Sequence, residues 1–104
     1  MAKKGVFILS NERELLLGFY QRFTAQVFLK GKDVNIRKST AEKLFEIYKM
    51  LLEKRRLNYI DVADMLGVSQ SLARRLLKIY AYIFDLKYED GWLSEEVDSD
   101  ANSF

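Results

Sequence analysis

The chain has 104 residues, enough for one domain with a short appendage, and its 49% hydrophobic and 13% aromatic content can build a core. With no Cys, no His and no Pro, it has no disulfide framework, no thiolate metal site and no Ser–His or Cys–His catalytic pair. The net charge of +2 divides unevenly: residues 1–84 hold 16 Lys+Arg against 8 Asp+Glu, hence +8, and residues 85–104 hold one Lys against 7 Asp+Glu, hence −6. A basic body suits a polyanionic partner, and equally a solvated surface with a solubilising tail.

Residues 1–10 open with Lys3 and Lys4, followed by the apolar run Gly5 to Leu9. That run is too short for a signal peptide and reads as a short strand or an apolar arm. Nothing in the chain approaches the ~18 apolar residues of a membrane span, so a cytoplasmic protein is expected. Asn11 with Glu14 is a capping box, and Leu16, Tyr20, Phe23 and Val27 recur at helical spacing beside Phe19. The spacing predicts a helix over 12–30 that ends at Lys30-Gly31. A competing pattern pairs 25–29 with 33–37 as a hairpin. Ser39 with Glu42 is a second capping box, and Leu44, Ile47, Leu51 and Leu52 predict a helix over 40–55, with Phe45 and Tyr48 nearby. Lys49, Lys54, Arg55 and Arg56 crowd its C-terminal end, where the helix dipole already favours cations.

Asn58 with Asp61 offers a third cap, for a short helix from Tyr59 to Leu66 that Gly67 ends. Ser69 caps a further helix running to about Ile83. Asp90-Gly91 between two apolar-aromatic runs is a hairpin signal over 86–93. From Ser94 to Phe104 the chain is acidic and rich in small residues, and a disordered tail is expected. The expected organisation is an N-terminal arm and helix (1–38), a central domain (39–93) and the tail (94–104).

Residues 60–79 carry the most specific pattern. Ala63 is small enough for the following helix to cross close over the first. Gly67, four residues on, takes the positive φ of a sharp turn. Val68 plugs the angle between the helices, Ser69 caps the second, and Val62, Leu66, Ala73 and Leu76 close the core beneath.

With this turn, residues 40–93 resemble the winged helix-turn-helix family of DNA-binding proteins. In that likeness 40–55 is the first helix, Leu57-Asn58-Tyr59 the minimal strand and 86–93 the wing. The resemblance implies a mainly α fold: a winged helix-turn-helix with an additional N-terminal helix and a short β-hairpin wing. It also implies that the helix from residue 70 enters the major groove.

On that helix Ala73, Leu76, Leu77, Tyr80 and Phe84 share one side, and Ser71, Arg74, Arg75 and Lys78 the other, with Gln70 at the border. Arg can pair bidentately with guanine and Gln with adenine, while Ser69, Ser71 and Lys78 suit phosphates. Arg55, Arg56 and Lys87 complete the expected DNA-binding set. The wing departs from the usual basic pattern, because its tip, Tyr88 to Gly91, is acidic and only Lys87 is basic. Trp92 could stack on a partner, but core burial is expected.

Leu72, Ile79 and Ile83 form a second apolar strip with Tyr82 at its border, and need a further contact. The wing is one candidate. The N-terminal helix is another, through its face of Leu15, Leu16, Phe19, Phe23 and Val27, from this chain or a second copy. Appended helices often dimerise such modules, so the resemblance suggests a homodimer. The expected function is sequence-specific binding of double-stranded DNA by a transcriptional regulator; a protein–protein interaction module is the alternative. Catalysis is not expected: Asp61, Asp64 and Glu53 lack any His partner, and Asp61 reads as a cap residue. No cofactor, metal or small-molecule ligand is expected.

Overall fold

The computed structural model describes residues 2–31 and 36–95, with side chains from Glu12 onward. These residues form α1 (Ala2–Lys30), α2 (Lys38–Lys54), β1 (Arg56–Asn58), α3 (Tyr59–Leu66), α4 (Gln70–Phe84), β2 (Lys87–Glu89) and β3 (Trp92–Ser94). The chain is thus mainly helical, with a three-stranded antiparallel sheet in the order β1-β3-β2.

The first expectation to fall is the strand or arm over residues 1–10. Helix α1 begins at Ala2, so Asn11 lies within it and has no helix terminus to cap. Once a helix is nucleated, each added residue gains a hydrogen bond, and no Pro interrupts the run back to Ala2. Gly31 ends α1 with φ 76°, as expected, and the helical state of 25–29 removes the hairpin reading. The Ser39–Glu42 box also fails. Helix α2 starts at Lys38, its N-cap is Arg37 in extended conformation, and that residue makes no side-chain cap hydrogen bond. Ser39 sits in the first turn, two residues past the cap position. At the other end Arg55 adopts a left-handed conformation (φ 66°), and its N–H donates to the Leu51 carbonyl at 2.9 Å.

The core is an aromatic cluster around Phe19 of α1, which is fully buried. Its ring lies 5.1–5.9 Å from those of Tyr20, Phe23, Phe45, Tyr48 and Phe84, so α1 is wedged between α2 and α4. Leu44, Ile47, Leu51, Leu76, Leu77, Ile83 and Leu93 close around it. Leu52, expected on the α2 stripe, points outward and is half exposed. Two ion pairs tie α1 to its neighbours, one partway along it and one at its C-terminal end: Glu12 with Lys49 of α2 at 2.8 Å, and Lys30 with Asp85 beyond α4 at 2.7 Å. Partial burial pushes the Lys49 pKa down, but its bonds to Glu12 and Glu46 outweigh this and raise it.

The sheet register settles which side chains face the core. Leu57, Leu93 and Tyr88 stand opposite one another across the strands, with Leu57 and Leu93 buried. The neighbouring rows, Arg56–Ser94–Lys87 and Asn58–Trp92–Glu89, point the other way. Trp92 is therefore outward and 38% exposed, contrary to the expectation of burial. Ser94, assigned to the tail, is the last residue of β3, and Glu95 N–H donates to the Arg55 carbonyl at 3.2 Å. The expected disorder from residue 96 onward lies outside the described residues.

Candidate nucleic-acid interface

Helices α3 and α4 meet through the turn that the sequence signals. Asn58 Oδ1 accepts from Ile60 N–H at 2.8 Å and caps α3. Gly67 has φ 68°, and Val68 N–H reaches back to the Ala63 carbonyl at 3.0 Å. Ser69 Oγ accepts from Leu72 N–H at 3.1 Å and caps α4. Val62, Ala63, Ala73 and Leu76 are buried between the helices, with Leu66 and Val68 partly so. These caps orient α4 so that one side is buried and the opposite side faces solvent.

On α4 the expected division holds. Ala73, Leu76, Leu77 and Tyr80 are buried; Ser69, Gln70, Ser71, Arg74, Arg75 and Lys78 are exposed. Positions 71, 74, 75 and 78 recur at spacings of three and four, so they share one face. Among the described residues neither Arg75 nor Lys78 makes an ion pair, which leaves both cations free for an anionic partner. Gln70 borders a shallow depression lined also by Ile60, Asp61, Ala63, Asp64, Gly67 and Val68. The carboxylates of Asp61 and Asp64 disfavour a phosphate on that side. Cationic and anionic groups thus flank the N-terminus of α4 from different directions. With Glu53 they form no metal-binding group among the described residues.

Arg74 is held differently from Arg75. Its guanidinium lies 4.7 Å over the Tyr59 ring, in cation–π geometry. Tyr59 is in turn locked to the β2–β3 turn, where its N–H donates to the Gly91 carbonyl at 3.0 Å. A Cβ on Gly91 would stand 2.8 Å from the Tyr59 ring, so the ring and the turn are in direct contact. Burial raises the Tyr88 pKa, against the lowering influence of the Arg74 charge nearby. Arg74 therefore bridges α4 and the hairpin. Tyr59 is the residue that sequence reasoning missed; its only signal was an aromatic at the junction of strand and helix.

The remaining expected residues fall elsewhere. Arg55 is exposed at the corner between α2 and β1. Arg56 and Lys87 lie on the outer face of the sheet, each opposite Ser94. The Arg56 guanidinium stacks 4.5 Å over the Trp92 indole, and Lys87 pairs with Glu89 at 3.2 Å. Together with Asp90 these residues line a depression of about 320 Å³. The expected set thus separates into a cationic face on α4, with Arg74 at its edge, and a mixed-charge patch on the sheet. Lys87 shares its charge with Glu89, so the hairpin presents little net positive potential.

No helix among the described residues is long and apolar enough to cross a membrane. No family model matches the chain, and no curated protein or solved structure matches it.

Proposed function

We propose that this chain is a sequence-specific binder of double-stranded DNA with a winged helix-turn-helix architecture, acting as a homodimeric transcriptional regulator. In this reading α3 and α4 are the helix-turn-helix, α4 enters the major groove, and the β2–β3 hairpin is the wing. One observation carries it: Ser71, Arg74, Arg75 and Lys78 form an exposed cationic face on a capped helix whose opposite side is buried. Arg75 and Arg74 suit guanine edges, Gln70 suits adenine, and Lys78, Ser71, Ser69 and Arg55 suit phosphates. Arg56 and Lys87 contribute secondary phosphate contacts, because Trp92 and Glu89 already engage them. The acidic hairpin tip, Glu89-Asp90, is unsuited to backbone phosphates, so in this reading the wing touches DNA through Lys87 alone.

Selection from a random duplex pool tests the reading. Enrichment of a pseudo-palindrome with half-site centres about 34 Å apart is expected for two symmetric modules. Enrichment of a single half-site would keep DNA recognition and remove the homodimer. An unenriched pool would contradict sequence-specific binding and favour a protein–protein interaction module.

A further inference from the structure

The face of α1 that packs inward is filled by Phe19, Phe23 and Val27, yet the opposite face is also apolar. Leu17 is 59% and Phe28 83% exposed on that outer side. With Tyr20, Gln21, Thr24 and Ala25 they line a shallow trough that contains no charged residue. Leu17, Gln21, Thr24 and Phe28 follow one another at spacings of four, three and four, the seam of an antiparallel helix pair.

We propose that this trough is the surface through which two copies of the chain pair, antiparallel, about a two-fold axis between residues 22 and 23. The inference rests on the homodimer in the function proposed above and not on DNA binding. The seam is complementary to its own reverse. Turned end for end, Leu17 meets the partner's Phe28 at both ends, and Gln21 meets the partner's Thr24 in the two central layers. Large apolar side chains thus meet each other, and a carboxamide meets a hydroxyl with which it can hydrogen-bond. A parallel pair would set Phe28 on Phe28 and Gln21 on Gln21 and align the helix dipoles unfavourably. The central polar layers fix the register, since a slip of one turn would bury Gln21 against Phe28 in one direction or Thr24 against Leu17 in the other.

A second copy is the occupant because of the trough's chemistry. An uncharged trough offers nothing to a polyanion, and it offers no cation to the carboxylates of Glu96, Asp98 and Asp100 in the remaining chain. Two basic bodies can approach there without opposing charges in the seam. Four layers cover on the order of half the ~800 Å² per partner of a standard interface, so a weak, concentration-dependent dimer is expected.

The chain has no cysteine, so single thiols report the register cleanly. With a short bismaleimide and no DNA present, Thr24→Cys is expected to give a crosslinked dimer, because the two Thr24 sites lie next to the axis. Leu17→Cys alone is expected to give none, because its two copies stand about 16 Å apart along the helices. Mixing Leu17→Cys with Phe28→Cys is expected to restore crosslinking. Phe28→Lys, at a position exposed enough to spare the fold, is expected to weaken dimerisation at least tenfold by sedimentation with unchanged circular dichroism. Uncrosslinked Thr24→Cys, self-crosslinking of Leu17→Cys, or a wild-type chain that sediments as a monomer at 100 µM would each overturn the proposal. None of these results bears on DNA affinity of the single module.

Discussion

Arg74 and Arg75 are neighbours in sequence, but different surroundings hold them. Arg75 projects from the exposed face with no ion pair among the described residues, whereas Arg74 is stacked on Tyr59 and anchored to the hairpin. A bidentate guanine contact predicts that Arg75→Ala costs ~1–3 kcal/mol on a selected duplex and relaxes its sequence preference. A phosphate contact predicts that Lys78→Ala weakens every sequence alike and flattens the salt dependence by about 0.9 in the log–log slope. Anisotropy titrations on selected and scrambled duplexes separate the two. In the proposed complex Tyr59 acts on DNA only through Arg74, whose guanidinium lies over its ring. Tyr59→Phe keeps the ring and should bind as wild type, while Tyr59→Ala should weaken binding about as much as Arg74→Ala. In the double variant the second substitution should add little, the mark of residues acting as one unit; full additivity would show that Tyr59 does not position Arg74.

The element that presents these side chains was readable because its signals are local. Asn58, Gly67 and Ser69 each satisfy or redirect a backbone within three residues, and the structure uses all three. Asp90-Gly91 likewise gives two positive φ values, 55° and 84°, as a two-residue hairpin turn requires. The misread features depend on longer range. Asn11 carries a cap signature, yet the helix passes through it. Arg37 starts α2 without any side-chain cap. Trp92 and Leu93 are both apolar, and only pairing with β1 decides which of them faces the core. The two turn glycines make contrasting predictions. A Cβ on Gly67 meets nothing within 4 Å, so Gly67→Ala should cost only the left-handed strain, ~1–2 kcal/mol in thermal or chemical unfolding. Gly91→Ala adds a 2.8 Å clash with Tyr59, so it should cost more stability and also weaken binding through Arg74.

At the scale of the molecule, α1 is part of the core and not an appendage. Phe19 is surrounded by rings from α2 and α4, and the ion pairs of Glu12 and Lys30 tie the helix to them on either side of that residue along the chain. Phe19→Ala should therefore cost ~3–5 kcal/mol in denaturant unfolding. A loss below 1 kcal/mol would show that α1 docks only loosely. The near-neutral total charge conceals a basic body and an acidic end, and the proposed recognition rests on Arg74, Arg75 and Lys78 sharing one exposed helical face. Salt-titrated fluorescence anisotropy on a labelled duplex tests that claim most directly. Affinity should fall linearly in log–log coordinates between about 50 and 200 mM salt, by ~0.9 per phosphate neutralised. Binding indifferent to salt, or no binding at the lowest salt, would contradict it.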